Sequence, residues 1–258
     1  MAYTYPDRGD KLTCQLIDEF DSRYWGESET AVLNAAFDAV QKLRNERLVD
    51  GFDKIRLLDL GCGMGRLIGT FLPHVDEIVA AEPDKGRFAA AKVAGAASSL
   101  KYRKPVKVIN GDASAVEGTY DIVLSSHVLQ HIPTWMAAEL MGAMSNFVEP
   151  GGLLILTTTH TAGEKDLFFR EEWQDKKRLS TAIDVEQFHT AYEEEGVLPV
   201  RMFSAETIRK MAEDAGFVLD LALRFHYENH HSAEDDRLAN ETGDFSGARD
   251  ILYIFTRK

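Results

Sequence analysis

A glycine-rich turn is the feature of this sequence best suited to hold a ligand. It reads Gly61-Cys62-Gly63-Met64-Gly65-Arg66 and directly follows a short apolar run. Glycines at this spacing let the backbone turn sharply and let a ligand approach the main chain. A dinucleotide fingerprint would place its third glycine where this chain has Arg66, and a phosphate-binding loop would need Gly-Lys-Ser/Thr. The turn therefore predicts a ligand site of neither of these two types.

Three acidic residues follow predicted strands, and their charge indicates the kind of ligand. Asp59, Glu82 and Asp112 each stand at or just after the end of such a strand. Because the carboxyl ends of parallel strands meet at one edge of a sheet, we expect the three carboxylates to lie close together. They suit a ligand with ammonium and sulfonium charges better than one with a pyrophosphate. Glu82 follows the turn at about the distance expected for an acid that binds ribose hydroxyls.

Two histidines, His127 and His131, follow the fourth predicted strand and are candidates for proton transfer. Their spacing would place both on one face of a helix. Imidazole has a pKa suited to taking a proton from an alcohol, a thiol or an ammonium group near neutral pH. A purely structural role remains the alternative for each of them.

The elements that must position these residues are strands alternating with helices. Such alternation predicts βαβ units with right-handed crossovers, and therefore an α/β fold whose parallel sheet carries helices on both faces. The predicted strands are Ile55–Leu60, Glu77–Glu82, Val106–Ile109, Tyr120–Ser125 and Leu153–Thr158, with helices between them that include Asp84–Ala97 and Thr134–Phe147.

The remaining segments flank or interrupt this core, and we read residues 1–258 as a single domain. Residues 1–50 predict a helical lid of two helices that are separated near Trp25-Gly26, and residues 54–160 form the ligand-binding core. Residues 160–200 lose strand periodicity and predict an inserted cap, with an ordinary surface excursion as the alternative. Residues 201–258 predict a helix from the cap Ser204 to the stop Gly216, and then an antiparallel hairpin of Phe217–Phe225 with Asp250–Thr256.

Composition narrows the function classes. The formal charge of −13 disfavours nucleic acid as a partner. The two cysteines, Cys14 and Cys62, have neither a disulfide framework nor a metal-binding spacing. The polar start lacks the apolar segment of a signal peptide, and no window is apolar enough to span a membrane. We therefore expect a cytoplasmic protein without a membrane partner, either a monomer or a homodimer.

The loop before the last predicted strand is rich in histidine and acidic residues. His226, His230 and His231 lie near Glu228 and an acidic pair, Asp235-Asp236. Their irregular spacing favours a solvated turn over a metal site, so no metal is predicted.

Taken together, five motifs resemble those of class I S-adenosylmethionine (SAM)-dependent methyltransferases of the small-molecule type. They occur in the family's order over roughly residues 54–160, and Phe203–Phe217 resembles the family's last helix entering its hairpin. The resemblance implies a Rossmann-like sheet of seven strands. The motifs are Asp59-Leu60-Gly61-Cys62-Gly63-Met64-Gly65, Glu82-Pro83, Gly111-Asp112-Ala113, Tyr120-Asp121-Ile122-Val123 and Glu149-Pro150-Gly151-Gly152.

The resemblance also implies roles for the residues at the glycine turn. The main chain at Gly61 and Gly63, with Gly65 closing the turn, would approach the methionine part of SAM. Asp59 would add negative charge there. Arg66 is a candidate partner for the SAM carboxylate, with a surface arginine as the alternative.

Further implied contacts lie at the ends of the next strands. Glu82, followed by Pro83, would bind both ribose hydroxyls. Asp112 would accept from the adenine amino group, and the Ala113 amide would meet the ring edge. The Ser126 carbonyl would accept from the SAM ammonium, and Tyr24-Trp25 would close over the ligand.

The implied function is methyl transfer from SAM to an oxygen or nitrogen atom of a small organic molecule. Four aromatic residues of the predicted cap line the acceptor pocket or anchor the cap itself: Phe168, Phe169, Trp173 and Tyr192. His131, or else His127, would take the proton of the acceptor.

Three alternatives remain open. Tyr24-Trp25, the glycine turn and His131 are also similar to protein N-terminal methyltransferases, which would make a peptide the acceptor. Thr157-Thr158-Thr159-His160 and the cap depart from that family. A second alternative is a SAM-binding protein without catalysis. The third is a nicotinamide-dependent oxidoreductase, against which Arg66 speaks.

Overall fold

The structure, a computed structural model, describes residues 23–49, 51, 54–174, 177–194 and 196–258. Within these ranges the chain forms a mixed α/β architecture around one twisted sheet. Most of the first predicted helix, residues 12–24, lies outside the described part. The strands are β1 Arg56–Leu60, β2 Glu77–Glu82, β3 Val106–Asn110, β4 Tyr120–Ser126, β5 Val148–Thr161, β6 Leu167–Gln174, β7 Lys177–Ile183, β8 Val197–Ser204, β9 Phe217–Tyr227 and β10 Ala248–Arg257.

Seven of these strands form the central sheet, in the order β3-β2-β1-β4-β5-β10-β9. The first five are parallel, whereas β10 runs antiparallel to both β5 and β9. The carboxyl ends of β1, β2 and β4 therefore lie at one edge of the sheet, where ligands bind in folds of this kind. The α/β prediction is confirmed, as is the hairpin formed by the last two strands.

Helices cover both faces of this sheet, as the alternation of strands and helices predicts. Side chains alternate along each strand, so that Leu57 and Ile122 pack toward α1 while Leu58 and Val123 pack toward α4. Burying each of these aliphatic side chains contributes roughly 1.5–3 kcal/mol. The helices are α1 Arg23–Val49, α2 Ile68–Phe71, α3 Lys85–Tyr102, α4 Thr134–Phe147, α5 Val185–Thr190, α6 Ala205–Asp214 and α7 Ala233–Thr242.

Helix α1 differs from the prediction at its start. It begins at Arg23 and continues through Gly26 without a break. Its apolar stripe, which includes Leu33, Ala36 and Val40, is buried against the sheet. That packing outweighs the cost of one exposed glycine in a helix, about 1 kcal/mol. Across the described part of the chain, no helix combines the length and the hydropathy that a membrane-spanning segment needs.

The segment after β5, where the sequence predicts an inserted cap, contains three strands. β6 pairs antiparallel with β7 and with β8. β8 also runs parallel to the end of β5, through the pairs His160↔Phe203 and Thr161↔Ser204. The inference that residues 160–200 lose strand periodicity was therefore wrong. In β6, charged and aromatic residues occupy adjacent positions and obscure the apolar pattern, whereas β8 is buried along most of its length.

The helix and hairpin that follow agree closely with the sequence. Ser204 accepts a hydrogen bond from the Thr207 amide and caps α6. The stop at Gly216 has a φ of +87°, which an L side chain rarely adopts. The predicted solvated turn between the last two strands is instead helix α7. Ser232 caps its start, and Asp236 and Ala239 are buried.

Candidate active site

A cavity of about 910 Å³ opens at the carboxyl edge of β1, β2 and β4. The glycine turn lies on one side of it and the strands β6 and β8 on the other. Tyr24, Gly65, Pro83, Asp112 and Ala113 are not among its lining residues, and the side chain of Trp25 lies outside the described part of the chain. The predicted site residues that line the cavity are Asp59, Gly61, Gly63, Arg66, Glu82, Ser126, His127 and His131.

The glycine turn brings bare backbone to the cavity. The amides of Gly61 and Cys62 both donate to the Ala81 carbonyl, at 2.9 and 3.0 Å. Gly61 has a φ of +80°, and a Cβ there would lie 2.4 Å from Cγ2 of Val128. Only glycine fits this conformation and this space. At Gly65 a Cβ would instead meet the backbone of α3, which makes that glycine a packing residue.

Glu82 joins the glycine turn to the end of β2. Its side chain is 5% exposed. Oε2 accepts from the Gly63 amide at 2.8 Å, and Oε1 accepts from the Asp84 amide at 2.9 Å. Burial raises the pKa of Glu82, although these two hydrogen bonds oppose the rise. Each oxygen keeps a lone pair for a ligand hydroxyl.

Asp59 is a second carboxylate in the cavity wall, and it is only 2% exposed. Burial raises its pKa to about 7, with Arg66 opposing the shift and Glu82 adding to it. Among the described residues, no group donates a hydrogen bond to the Asp59 carboxylate. A positively charged ligand group beside it would offset the cost of keeping it ionised.

Asp112 does not reach this cavity. Its Oδ1 accepts from the Ser114 amide at 2.9 Å and from the Ser114 hydroxyl at 2.6 Å, which caps the short helix Ala113–Ala115. These hydrogen bonds lower the pKa of Asp112. The side chain is exposed, so its predicted contact with an adenine ring would lie at the rim of the site.

Arg66 forms an ion pair across the cavity mouth. Its guanidinium contacts both carboxylate oxygens of Glu29 on α1, with Nη2 2.8 Å from Oε1. Both residues line the cavity, and Arg66 is about half exposed. The pair connects α1 to the glycine turn. A ligand carboxylate would have to share this guanidinium with Glu29.

Tyr24 contributes to the same attachment of α1. Its hydroxyl donates to Asp236 of α7 and accepts from the Tyr227 amide, both at 2.8 Å. Burial and Asp236 raise the pKa of Tyr24. Ser28 of α1 also donates to Asp236. Tyr24 therefore fastens α1 to α7 and β9 instead of reaching the cavity.

His127 and His131 do not share one helical face, because His127 has a left-handed φ of +54° and His131 ends the short helix Leu129–His131. The Gln130 side-chain amide donates to Nδ1 of His127 at 2.9 Å, while its oxygen accepts from Thr158. Neutral His127 therefore carries its hydrogen on Nε2. Burial lowers the pKa of His127, although Asp250 opposes the shift. His127 is thus arranged as a donor.

His131 has the opposite arrangement. Its Nδ1 lies 3.1 Å from the Pro199 carbonyl of β8. A carbonyl only accepts, so neutral His131 carries its hydrogen on Nδ1 and its lone pair on Nε2. Ser126 lies nearby on β4, and its hydroxyl hydrogen-bonds that of Thr157 at 2.7 Å.

The far wall of the cavity comes mainly from β6 and β8, and its side chains are apolar except for Ser180 of β7 and the buried Glu171 of β6. Phe169 lines it, whereas Phe168 packs beneath on Phe188, with ring centroids 5.0 Å apart. Tyr192 also packs on Phe188. Of the predicted aromatic residues, Phe169 alone among those with a described side chain faces the cavity; the Trp173 side chain lies outside the described part. The other apolar members of this wall are Ile132, Leu198, Val200 and Met202.

Several site residues were missed from the sequence. Leu198, Val200 and Met202 alternate along β8, and this period of two is the sequence signal that identifies them. His226 and Asp250 also line the cavity and are both 5% exposed. His226 was assigned to a solvated turn, which was wrong because β9 extends to Tyr227 beneath α1. A register of β9 on β10 would have placed these two residues near each other.

Comparison with protein families matches residues 32–222, most of the chain, to the family described as a methyltransferase domain. Among curated proteins, the ubiquinone biosynthesis O-methyltransferase of Brucella anthropi is 32% identical over 107 residues, 42% of this chain and 42% of that protein. The protein of the same name from Rhodopseudomonas palustris is 27% identical over 117 residues, 45% of this chain and 44% of that protein. The matched region spans less than half the length of these relatives.

Solved structures share the fold at low sequence identity. A SAM-dependent methyltransferase from Clostridium acetobutylicum aligns with a TM-score of 0.56 and 11% identity, over 96% of this chain and 99% of that one. The magnesium protoporphyrin IX methyltransferase of Synechocystis aligns with a TM-score of 0.54 and 13% identity, over 97% and 93%. These likenesses agree with the α/β architecture predicted from the alternating elements.

Proposed function

Because the chain belongs to the methyltransferase domain family, we propose that it transfers the methyl group of SAM to an oxygen or nitrogen atom of a small organic acceptor, with oxygen favoured. The observation that carries this proposal is one continuous cavity. The glycine turn and two buried acids line one part of it, and an apolar wall with imidazoles lines the other.

The first part of the cavity fits SAM. The Gly61 backbone borders space that a Cβ would fill, Glu82 has lone pairs for two ribose hydroxyls, and Asp59 has a carboxylate for a positive charge. Asp112 would meet the adenine amino group at the rim. When bound, SAM supplies an electrophilic methyl group, and this chain supplies the alignment.

The second part fits a flat apolar molecule with a hydroxyl group. Phe169, Val200 and Met202 offer apolar surface, and His127 and His131 face the same space. Neutral His131 carries its lone pair on Nε2, whereas neutral His127 carries its hydrogen on Nε2. These two histidines are therefore the catalytic candidates, His131 as an acceptor and His127 as a donor of hydrogen bonds to polar groups of the substrate.

The curated relatives are named for O-methylation in ubiquinone biosynthesis, which supports an oxygen acceptor. An oxygen nucleophile must lose its proton during transfer, which gives a reason for imidazoles at this wall. The apolar wall supports a small molecule over a peptide, because a peptide backbone buried there would need hydrogen-bond partners.

Calorimetry and a turnover assay test this proposal. We expect SAM and S-adenosylhomocysteine (SAH) to bind and NAD not to bind. We also expect SAH to form from SAM with catechol, more slowly with aniline, and not with a peptide that has a free N-terminus. Binding of NAD in place of SAM would refute the donor assignment. Turnover of the peptide without turnover of catechol would refute the acceptor class.

A further inference from the structure

Two side chains on neighbouring strands form a buried histidine–carboxylate pair in the cavity wall. Nδ1 of His226, near the end of β9, lies 2.8 Å from Oδ2 of Asp250 on β10. Their side chains are 6% and 7% exposed. Oδ1 of the same carboxylate lies 4.0 Å from Nδ1 of His127. The carboxylate therefore sits between two imidazoles, and all three residues line the cavity.

The charge state of this pair follows from its surroundings. Burial would raise the pKa of Asp250, but His127 and His226 outweigh it and hold that pKa below its ordinary value. Asp250 is thus a carboxylate at neutral pH and only accepts hydrogen bonds. His226 therefore carries its hydrogen on Nδ1, and Nε2 is its basic atom.

The three imidazoles have different hydrogen-bond partners, and these partners indicate different roles. His127 receives a hydrogen bond on Nδ1 from Gln130, and His131 donates from Nδ1 to a neutral carbonyl. His226 donates to an ionised carboxylate within hydrogen-bond distance. A carboxylate stabilises the imidazolium that forms when the ring takes a proton, whereas a carbonyl does so less.

The backbone gives a second, independent observation. Three non-glycine residues in the described part have a left-handed φ, namely Arg103, His127 and His226. Such a conformation costs of order 1–3 kcal/mol and is concentrated at functional sites. Two of the three line this one cavity. At His226, with a φ of +56°, it interrupts the alternation of β9 and brings the ring to the Asp250 carboxylate.

We propose that His226, positioned by Asp250, is the general base of the methyl transfer, a role that rests on the proposed function. As the acceptor oxygen forms its bond to the methyl carbon, the carbon–sulfur bond breaks and its electron pair stays on sulfur. The hydroxyl proton passes to Nε2 of His226, and the Nδ1 hydrogen stays with Asp250. His131 then holds the acceptor in line. Proton loss from the imidazolium to water completes the cycle.

The other ionisable groups near His226 come from five places in the fold. They are Asp250 and Arg249 on β10, His127 after β4, Asp236 on α7, Tyr24 on α1, and Glu228 just after β9. Acidic groups outnumber the single arginine in this set. The Asp250 carboxylate, 2.8 Å from Nδ1, is the member of this set that would stabilise an imidazolium formed by proton transfer.

Binding of a chromogenic phenol tests the base without turnover. 4-Nitrocatechol added to the SAH complex is expected to show its phenolate absorbance at a pH where the free probe is mostly protonated. The bound phenolate fraction should fall about tenfold or more in His226→Gln and in Asp250→Asn. The matched control His230→Gln should keep it, since His230 bonds Asp236 instead. Loss in His131→Gln with retention in His226→Gln would overturn the proposal.

The ring tautomer gives a readout that needs no acceptor. In ¹⁵N NMR of the wild-type SAH complex, neutral His226 is expected as the Nδ1–H form, assigned by its loss in His226→Gln. An Nε2–H form would overturn the proposal. A protein that binds SAH but not 4-nitrocatechol would contradict the phenol class of acceptor, and an Nε2–H tautomer would then be the result that excludes His226 as the base. Thermal unfolding of each variant identifies those that fail to fold.

Discussion

The carboxylate of Glu82 accepts a hydrogen bond from the backbone amide of Gly63, with 2.8 Å between Oε2 and the nitrogen. This contact connects the end of β2 to the turn that follows β1. One side chain therefore both shapes the glycine turn and faces the cavity. Its loss should affect the ligand and the turn together.

Glu82→Ala is expected to weaken SAM binding by about 1–3 kcal/mol, the usual cost of losing hydrogen bonds to a charged group. Isothermal calorimetry measures this change. Glu77→Ala, at the other end of the same strand, is the matched control and should leave the affinity unchanged. Equal affinity of Glu82→Ala and the wild type would refute the ribose assignment.

Asp59 should make SAM binding depend on pH. Its pKa in the ligand-free protein is raised to about 7, and a bound cation favours its charged form. The affinity for SAM should therefore rise as the pH increases through about 7 and fall in acid. Asp59→Asn should bind more weakly and lose this component of the pH dependence. Calorimetry from about pH 5.5 to about pH 8.5 compares the two proteins.

The same group affects the stability of the ligand-free protein, and the sign is opposite. A raised folded-state pKa means that the stabilising contribution is full below the unfolded value, near 3.8, and is lost as the pH rises through about 7. The difference in Tm between Asp59→Asn and the wild type should therefore grow in favour of the variant from acid to neutral pH. A constant difference would show that Asp59 does not titrate in this range.

Gly61→Ala should reduce SAM binding more than about tenfold, because its Cβ would lie 2.4 Å from Cγ2 of Val128 at a left-handed φ. Gly118→Ala provides the control. Gly118 has a φ of +84° with nothing within 4 Å of an added Cβ, so it carries the conformational cost without the clash. If both variants bound SAM like the wild type, the turn would not be a close contact of the ligand.

His131→Ala is expected to leave SAM affinity unchanged and to lower turnover of catechol by roughly tenfold or more, through poorer alignment of the acceptor. The pH dependence of kcat/KM should be retained in this variant and lost in His226→Gln. The reverse result would identify His131 as the base. Equal turnover of His131→Ala and the wild type would make it a packing residue.

The core of the fold was predictable because local patterns and global packing agree there. The strand β2, the helix Thr134–Phe147 and the stops at Ser204 and Gly216 lie where apolar periodicity and capping residues place them. The glycine turn and Glu82 were found at the cavity for the same reason. The carboxyl ends of parallel strands lie at the same edge of the sheet, independently of how the other segments fold.

The acceptor side was less predictable because it depends on contacts between distant segments. The left-handed φ of His226 and its hydrogen bond to Asp250 follow from the register of β9 on β10. That register could not be inferred from the sequence because helix α7 separates the two strands. Tyr24 was expected near the ligand, yet its hydroxyl meets Asp236, more than two hundred positions away in the chain. The residue pattern within one segment does not indicate which distant residues contact each other.

Strand β8 is hydrogen-bonded both to the end of β5 and to β6, so the wall facing the acceptor shares its backbone with the rest of the sheet. Exchanging this wall as a block would disrupt the fold. Substrate preference can nevertheless change in small steps, because every second residue of β8, from Leu198 to Val200 to Met202, contacts the space that the acceptor would occupy. Evolution of new substrates in this architecture should therefore proceed through single substitutions at alternate positions, with the intervening residues held constant by packing.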